Sequence, residues 1–405
     1  MGKTIVLVGT LDTKGIEFGY VKDKIVEQGH QVIVVDIGVL GRPLIEPDIS
    51  HDQVARAAGT TIEDIIAQGK EGVAIELMAE GAMKIVGELY RSGKVDGIMS
   101  LGGSMGTASA TAVMRSLPIG IPKVMVSTMA SSDTRPYVDN KDIVMIPSVA
   151  DIMGLNPIAN RVLAMAAGAV TGMVAADPGL VPSDKPVIGL TLHGDLVPGM
   201  RSIKALLEDK GYETVIFAAV GSGGKTLEEL TEQGLIDGVF DLAPHEIAGH
   251  IFGGICDAGP DRLEAAGRRG IPQLVVPGKL DIVSFSVGPG IPPKLKGRKP
   301  WMHNPIIGII RLNKEEMTLV GKVVVEKLNK AIGPTAVMIP KRGLSDYGKG
   351  WEAFYDADAD SALFQVLKSG LKPEIRVVEV DAHINDTLFA EKATALLDEL
   401  MHQAG

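Results

Sequence analysis

Short apolar runs alternate with helix-like segments along the chain, and this alternation limits the fold more than any other feature. The runs are rich in Val and Ile and end at Gly, Ser, Thr or Pro, as buried strands do. The segments between them, such as 74–93, carry an apolar stripe at helical spacing. Strand–helix alternation predicts parallel sheets with right-handed crossovers. In the first half of the chain the predicted strands are 4–9, 31–38, 96–102, 123–128 and 142–148.

A proline-rich stretch, "DPGLVPSDKP", interrupts the alternation, which then restarts at 187. A chain of 405 residues is long enough for two domains. We therefore expect an α/β protein with two Rossmann-like domains, each a mostly parallel sheet flanked by helices. The predicted domains are 1–178 and 186–405, with a linker at 179–185.

Composition argues against several classes of function. With a net charge of -10, the chain has few clustered cations for a nucleic-acid backbone. The longest uncharged apolar stretch, 162–176, is too short to span a bilayer and predicts a helix buried between the sheet and a partner. Cys256 is the only cysteine, so no internal disulfide forms. The opening "MGKTIVLVGT" indicates a first strand rather than a signal peptide. We expect a cytoplasmic protein that binds neither nucleic acid nor membrane.

The loops that follow the strands are the first place to look for a site, because ligands of parallel sheets bind beyond the carboxyl ends of the strands. After the third strand comes "SLGGSMGTASAT", three glycines among small uncharged residues. Its glycines permit close ligand approach, and a helix over 104–116, capped by Ser104, would present free N–H groups to an anion. A phosphate is the predicted ligand, and a tight packing turn is the alternative. The candidate residues are Gly102, Gly103, Ser104, Gly106 and Thr107.

The loop after the first strand, "GTLDTKG", is a second candidate. Gly9 permits a sharp turn, and a helix is expected to begin near Lys14 with Asp12 or Thr13 as its cap. In the functional alternative, Thr10, Thr13 and the helix N-terminus donate to an anion, and Asp12 holds a metal.

Two further loops add acids and hydroxyls. Asp36 and Gly38 lie at the end of the second strand, near the place where dinucleotide folds have an acid that binds a ribose hydroxyl; a helix- or turn-capping aspartate is the alternative. Ser127 and Thr128 end the fourth strand and suit either phosphate or Mg²⁺ coordination or a cap. The glycine fingerprint G-x-G-x-x-G is missing after the first strand, and its absence weakens the hypothesis of a nicotinamide-dependent oxidoreductase.

The second half contains a glycine-rich loop, "AVGSGGKT", that approximates a P-loop if Ala219 replaces its first glycine. Lys225 would then reach phosphates and Thr226 the magnesium, with Asp241 the one candidate partner acid. A different ligand loop and a packing turn are the alternatives.

The histidines of the second half are not expected to be catalytic. Those of "HEIAGH" are five residues apart and lie on different faces of a helix, which excludes a zinc-peptidase motif. His193 and His303 are isolated in the sequence and are expected to be structural. Cys256 has no apparent histidine partner that would make it a nucleophile.

Several of these stretches, with "VSTMASSDTRPYV" and "DAGPDRLEAAGRRGIPQLVVPGKLDIVSF", resemble the ATP-binding family named after the tomato mosaic virus resistance protein. The resemblance runs nearly end to end. It implies two Rossmann-like domains, ATP with Mg²⁺ held mainly by the first, and a homodimer. The second domain departs from the family pattern in "TLHGDLVPG" and "HEIAGH". The family's nucleotide motifs fall on Thr10, Asp12, Thr13, Lys14, Gly102, Gly103, Ser104, Gly106, Thr107 and Ser127.

Two functions follow as hypotheses. The first is an ATP- and Mg²⁺-dependent enzyme that acts on a small carboxylate or phosphorylated substrate in the cleft between the domains. Phosphoryl transfer needs positioning and charge neutralisation, which suits many N–H donors and few nucleophiles. The alternative is a non-catalytic, nucleotide-responsive binding or regulatory protein. Candidates for the second site are Gly223, Gly224, Arg262, Asp281, His303 and Asn304.

Overall fold

Two parallel sheets organise the chain, one in each of two units. The computed structural model describes residues 2–176, 183–348 and 354–403, and the units are Met1–Val181 and Pro182–Gly405. Residues 179–182 of the predicted linker lie outside the described ranges. The predicted fold class, two α/β domains with parallel sheets flanked by helices, is confirmed.

The N-terminal unit is built on a parallel sheet whose strands are β1 (Thr4–Gly9), β2 (Gln31–Asp36), β3 (Gly97–Gly102), β4 (Lys123–Ser127) and β5 (Ile143–Pro147). Its helices are α1 (Leu11–Glu27), α2 (His51–Ala57), α3 (Ile62–Ala67), α4 (Glu71–Arg91), α5 (Ser104–Ser116), α6 (Arg135–Val138) and α7 (Pro157–Ala176). The strand order is β2-β1-β3-β4-β5, so the chain leaves β1 toward one edge and later returns to its other side.

Both faces of this sheet are buried, which explains its nearly uncharged strands. Ile5 and Leu7 of β1 belong to the apolar cluster formed with α1 and α7. The alternate residues Val6 and Val8 belong to the cluster formed with α2, α3, α4 and α5. The two-residue period of a strand therefore supplies both cores at once.

The helix α7 is longer than the apolar stretch 162–176 that predicts it. In the described part of the chain it is the one helix whose length and composition would suffice to cross a membrane. The core helices of water-soluble proteins meet the same criterion. Leu163, Ala166 and Val170 of α7 pack on the sheet with α1.

The C-terminal unit is built on a second parallel sheet, with the strand order β14-β13-β9-β8-β6-β7, and on a small antiparallel sheet, with the order β10-β12-β11. The antiparallel sheet is not predicted by the sequence analysis. The strands are β6 (Val187–Leu192), β7 (Glu213–Ala218), β8 (Gly238–Asp241), β9 (Gln273–Val275), β10 (Ile282–Ser286), β11 (Trp301–Met302), β12 (Ile307–Arg311), β13 (Thr335–Pro340) and β14 (Arg376–Val380).

Helices cover both faces of the second parallel sheet as well. They are α8 (Val197–Asp209), α9 (Ser222–Glu232), α10 (Glu246–Phe252), α11 (Ala265–Arg269), α12 (Lys314–Leu328), α13 (Ala357–Gly370) and α14 (Thr387–Gln403). Short 3₁₀ helices lie at Gly194–Leu196, Pro293–Leu295 and Asp346–Gly348. The clusters on the two faces are separate: one includes α8 and α14, the other α12 and α13.

Gly9 closes β1 because the ring of Phe18 from α1 occupies the space that a side chain would need. We expect Gly9→Ala to lower the free energy of unfolding by about 1–3 kcal/mol, the usual effect of overpacking a core. Urea denaturation measures this change. The matched control is Gly87→Ala in α4, where a Cβ meets no atom within 4 Å and better helix propensity stabilises slightly. Equal effects of the two variants would contradict the packing role of Gly9.

Candidate functional site

The loops after β1 and β3 form one side of a pocket of about 680 Å³ in the N-terminal unit. The sheet order places the topological switch point between these two strands. The connection after β1 leads to β2 on one side of β1, and the chain then returns to β3 on the other side. This is where open parallel sheets bind ligands. The pocket brings together eight of the predicted residues: Thr10, Asp12, Thr13, Lys14, Gly102, Gly103, Ser104 and Gly106.

An apolar wall forms the other side of the pocket. Ile37, Val39 and Leu40 come from the loop after β2. Ile65 of α3 and Met78 of α4 continue the wall. None of these five residues is predicted as a site residue by the sequence analysis. Ile65 and Met78 belong to the buried faces of their own helices, and the three loop residues have apolar side chains that do not indicate a ligand. The pocket therefore has a polar side rich in backbone and an aliphatic side.

Two helices begin at the polar side without a side-chain cap. The first, α1, begins at Leu11 rather than near Lys14, and Thr10 occupies its N-cap position. The second, α5, begins at Ser104 as predicted, but its N-cap residue is Gly103 and not Ser104. The first N–H groups of a helix have no partner within the helix. The start of α5 can therefore donate to an anion in the pocket, with the positive pole of the helix dipole behind it. The start of α1 offers less, because Asp36 already accepts the Leu11 N–H, and the N–H groups of residues 13 and 14 donate to the Thr10 carbonyl.

Asp12 contributes a carboxylate that is only half used by the protein. Its Oδ2 accepts the N–H of Leu40 at 2.7 Å, whereas its buried Oδ1 has no hydrogen-bond partner. Gly38 packs directly against this carboxylate, and a Cβ there would lie 2.7 Å from the Asp12 Cγ. An unpaired buried carboxylate oxygen calls for a ligand, and a hard cation such as Mg²⁺ is the one that its chemistry prefers.

Asp36 is fully buried and does not line the pocket. Its Oδ1 accepts the N–H groups of Leu11 at 3.1 Å and Gly38 at 2.9 Å, and its Oδ2 lies 3.0 Å from Nδ1 of His51. Burial raises the pKa of Asp36, and these hydrogen bonds oppose the rise. The structure favours the turn-capping alternative: Asp36 fixes the start of α1.

The hydroxyl residues behind α5 also support the loop instead of facing the pocket. Thr107 Oγ1 lies 2.6 Å from Ser127 Oγ and donates to the Gly103 carbonyl at 2.7 Å. The N–H of Thr128 donates to the Gly102 carbonyl at 3.3 Å. These contacts connect the first turn of α5 to the end of β4, so they hold the glycine-rich loop in place.

In the C-terminal unit, the glycine-rich loop before α9 is already filled by a protein carboxylate. Glu246 Oε1 accepts the N–H of Gly221 at 2.6 Å and that of Gly224 at 3.2 Å. A side chain at Gly223 would overlap the Ala218 carbonyl oxygen, and one at Gly224 would overlap the Glu246 carboxylate. The structure favours a packing turn over a P-loop, because the amides that would hold a phosphate hold Glu246.

Arg262 lies at the centre of a buried ion-pair network. It is 1% exposed and bonds Asp241 through two nitrogens at 2.6 and 3.0 Å, and Glu246 at 2.7 Å. Burial alone would lower the pKa of Arg262, but these carboxylates raise it well above its usual value. Glu228 joins the network and also accepts the N–H groups of residues 263–265. As a result, Arg262 is committed to the fold rather than to a ligand.

A second polar cluster lies at the carboxyl ends of β6, β8 and β9. Lys279 is fully buried, lies 3.0 Å from Nδ1 of His193 and forms an ion pair with Asp195. The ring of Tyr347 covers the Lys279 ammonium at 4.4 Å. Burial lowers the pKa of Lys279, although Asp195 opposes the shift. His303 reaches the edge of this cluster through its Nδ1, 3.0 Å from the Tyr347 hydroxyl.

The remaining second-site candidates divide between this cluster and a turn. Asp281 is buried, and its Oδ1 has no hydrogen-bond partner. Burial raises its pKa, and the charges of Arg311 and Lys279 oppose the rise. Asn304 accepts the N–H groups of residues 306 and 307, both at 2.9 Å, and so serves a turn.

Sequence reasoning misses the most polar members of the cluster and misjudges two others. His193 is not an isolated structural residue, and Cys256 does have histidine partners: ligand atoms of His193, His245 and Cys256 lie within 4.8 Å of one another. The available signal was position, since His193, Asp195 and Lys279 all lie in strand-end loops, as the switch-point rule requires.

Comparison with known proteins gives the family. The N-terminal domain model of the uncharacterised protein family UPF0261 matches residues 3–178, and the C-terminal domain model matches residues 185–401. The chain belongs to this family. A UPF0261 protein of Clostridium tetani is 44% identical over 404 residues, and the alignment covers 100% of this chain and 100% of the relative. One from Brucella melitensis is 38% identical, covering 97% of this chain and 94% of the relative.

A plant relative in the UPF0261 comparison is much longer. The ToMV resistance protein Tm-1 of Solanum lycopersicum is 35% identical over 337 residues, which is 82% of this chain but 44% of that protein. Among solved structures, the UDP-GlcNAc 2-epimerase of Neisseria meningitidis is 14% identical, with a TM-score of 0.24 over 67% of this chain and 82% of that one. The UDP-N-acetylglucosamine 2-epimerase of Rickettsia bellii is 13% identical, with a TM-score of 0.23, and the comparison covers 100% of this chain and 98% of that one. TM-scores this low carry no conclusion about this chain.

The Arg262 network predicts a large loss of stability on removal of its cation. We expect Arg262→Ala to lower the free energy of unfolding by about 3–5 kcal/mol, because Asp241 and Glu246 stay buried without a counter-charge. Chemical denaturation of the full chain measures this. The loss should shrink as the pH falls, since the folded variant then binds protons on these carboxylates more readily than the unfolded chain does.

The matched control is Arg342→Ala, which removes an equally bidentate pair with Asp381 at the surface, where the side chains are 63% and 69% exposed. Its effect should stay below about 1 kcal/mol. Similar losses in both variants would contradict a structural role specific to burial.

Proposed function

We propose that the N-terminal unit binds ATP together with Mg²⁺ in the pocket between the loops after β1 and β3. The observation that carries the proposal is the joint presence of the uncapped N-terminus of α5 and an aliphatic wall around one pocket of about 680 Å³. That volume lies within the range of small-ligand sites. The resemblance of "VGTLDTKG" and "SLGGSMGTASAT" to an ATP-binding family points to the same ligand.

The phosphates are assigned to the polar side. The N–H groups at the start of α5 are donors, and Gly103 leaves room for a phosphate to approach them, because the nearest atom to a Cβ there is 3.9 Å away. Lys14 lines the same side of the pocket and supplies a positive charge. No side-chain nucleophile is required for this role, which agrees with a loop of Gly, Ser and Thr.

The base is assigned to the aliphatic wall. Leu40, Ile65 and Met78 line the pocket opposite the helix ends. A flat heteroaromatic base buries its faces favourably against such side chains, and the methionine adapts to its outline. The wall gives hydrophobic affinity but few hydrogen bonds, so it supports a nucleotide more strongly than it supports adenine over another base.

Asp12 is the residue that fits the Mg²⁺ implied by this proposal. Its unpartnered Oδ1 supplies an anionic oxygen, and the Leu40 N–H holds the carboxylate in place through Oδ2. A Mg²⁺ held there would supply neutralisation of phosphate charge. In this arrangement Asp12 would hold the cation, and the start of α5 would orient the phosphates.

The enzymatic hypothesis gains support from the C-terminal unit, where Lys279, His193 and Asp195 form a buried polar cluster. Groups of these types carry out proton transfer in many enzymes, and a purely regulatory protein does not need them. Substrate-dependent loss of ATP with small carboxylic and phosphorylated acids distinguishes the enzyme from a nucleotide-responsive binding protein. The cytoplasmic location and the homodimer stay predictions.

Gly103→Val tests the phosphate assignment. We expect it to weaken ATP binding about 10-fold or more, a loss of roughly 1.4 kcal/mol, by blocking backbone approach. Isothermal titration calorimetry measures the affinity. The fold accepts this change, because Gly103 has an extended backbone and the nearest atom to its Cβ, Thr128 Oγ1, is 3.9 Å away. Gly168→Val in α7, where a Cβ meets nothing within 4 Å, is the control. Unchanged affinity in a folded Gly103→Val protein would refute the assignment.

Asp12→Asn tests the metal assignment separately. Asparagine keeps an oxygen for the Leu40 N–H but loses the charge, so we expect the strengthening of ATP binding by Mg²⁺ to disappear while metal-free ATP binding stays the same or improves. Calorimetry with and without Mg²⁺ separates the two. Asp52→Asn, an exposed first-turn acid of α2, should leave both affinities unchanged. Full Mg²⁺ dependence in Asp12→Asn would assign the cation to other groups.

A further inference from the structure

We propose that the C-terminal unit binds a divalent cation of borderline softness, of which Zn²⁺ is the type, through His193, His245 and Cys256. The site is separate from the nucleotide pocket proposed above and does not depend on it.

Three different loops bring these side chains together at the second sheet. His193 follows β6, His245 follows β8, and Cys256 follows α10. The chain leaves β6 toward β7 on one side and returns to β8 on the other, so β6 and β8 flank the topological switch point. The rings of His193 and His245 meet edge to face with centroids 4.6 Å apart.

The ligand atoms are already close to the separations that a metal requires. Those of the three residues lie within 4.8 Å of one another. Tetrahedral zinc has bonds of about 2.0–2.3 Å to nitrogen and sulfur, which places its ligand atoms about 3–4 Å apart. Small side-chain rotations would bring the ligand atoms from their present separations to those of a bound metal, because none of the three residues is held by a covalent constraint.

His245 provides an independent indication of a missing ligand. It is 1% exposed, and its Nε2 has no hydrogen-bond partner among the residues that the structure describes. Its Nδ1 lies 3.3 Å from the Ala243 carbonyl oxygen, an arrangement that places the proton on Nδ1 and leaves a lone pair on Nε2. Metal-binding histidines have this pattern: one nitrogen donates to a carbonyl and the other binds the metal. A buried lone pair without a partner otherwise has no explanation here.

His193 has the outer partner that a metal-binding histidine needs. Its Nδ1 lies 3.8 Å from Asp195 Oδ1, so when Nε2 binds a cation, the proton on Nδ1 has a carboxylate acceptor within a small rotation. Lys279 now donates to this nitrogen at 3.0 Å. A cation on Nε2 would place the proton on Nδ1, so this hydrogen bond would be lost, while Lys279 keeps its ion pair with Asp195. Burial lowers the pKa of both histidines, which favours the neutral form that binds metals.

Cys256 fits a metal ligand better than a nucleophile. It is 6% exposed, and burial raises the pKa of its thiol to about 11. The free thiol is therefore protonated at neutral pH and unreactive, whereas a bound cation displaces the proton and stabilises the thiolate. A set of two imidazoles and one sulfur selects zinc-like metals over Mg²⁺ or Ca²⁺. Three protein ligands leave a fourth position open, as catalytic zinc sites do.

Cobalt(II) is the probe that tests the site, because thiolate-to-cobalt charge transfer gives a near-ultraviolet band and Cys256 is the only cysteine of the chain. The full-length protein, with any histidine tag removed, is stripped with a chelator and titrated with Co²⁺ in excess Mg²⁺, which fills oxygen-ligand sites. We expect one Co²⁺ per chain with the thiolate band and tetrahedral visible bands, both abolished by Zn²⁺. Saturation with Co²⁺ without a thiolate band would overturn the proposal, whatever the variants do.

Variants assign the histidines. Loss of a residue that only hydrogen-bonds to a metal ligand typically weakens metal binding about 10–100-fold. We expect His245→Gln and His193→Gln each to weaken Co²⁺ binding by more than this. His250→Gln, in the helix that begins directly after His245, changes a histidine that is paired with Asp257 at the surface, and this variant should bind Co²⁺ like the parent protein. Circular dichroism confirms that each variant is folded. Unchanged Co²⁺ affinity in both folded ligand variants would also overturn the proposal.

Discussion

Burial of both faces of a parallel sheet is the constraint on which the rest of this structure depends. Parallel strands cannot be joined by tight hairpins, so the connections between them run back along a face of the sheet, usually through a helix. The strands of a parallel sheet therefore all end at the same edge. The Val- and Ile-rich strands follow from this burial, as do the two apolar clusters of the N-terminal unit. So does the concentration of chemistry at one edge, since only the strand-end loops combine exposed backbone with fixed positions.

The two units use that edge in opposite ways. In the N-terminal unit α5 begins after Gly103 without a side-chain cap, so its amides face a pocket. In the C-terminal unit the comparable glycine-rich loop donates to Glu246, and Arg262 balances the resulting buried charge. One loop leaves its donors for a ligand, and the other satisfies them within the protein. The difference depends on a single carboxylate that lies about twenty residues further along the chain.

The switch point of the C-terminal sheet is nevertheless polar, for a different reason. There the side chains of His193, His245 and Lys279 meet beyond the ends of β6, β8 and β9. Glu246 follows His245 directly in sequence, so the same short segment supplies a structural carboxylate to the glycine-rich loop and an unpartnered imidazole to the cluster. Stability and chemistry are thus built from adjacent residues that point to different neighbours.

The sequence by itself determined the two units with parallel sheets, because hydrophobic periodicity is local and reports directly on burial. The small antiparallel sheet emerged only in the tertiary structure. It also located the glycine-rich loop after β3 and the helix that begins at Ser104. Only the tertiary structure decided the state of each polar group: that Asp36 fixes a turn while Asp12 keeps a free oxygen, that Arg262 is consumed by an ion-pair network, and that Cys256 meets two histidines. These outcomes depend on partners brought in from distant strands, and hydrogen-bond and charge satisfaction is a property of the assembled edge. No local pattern encodes it.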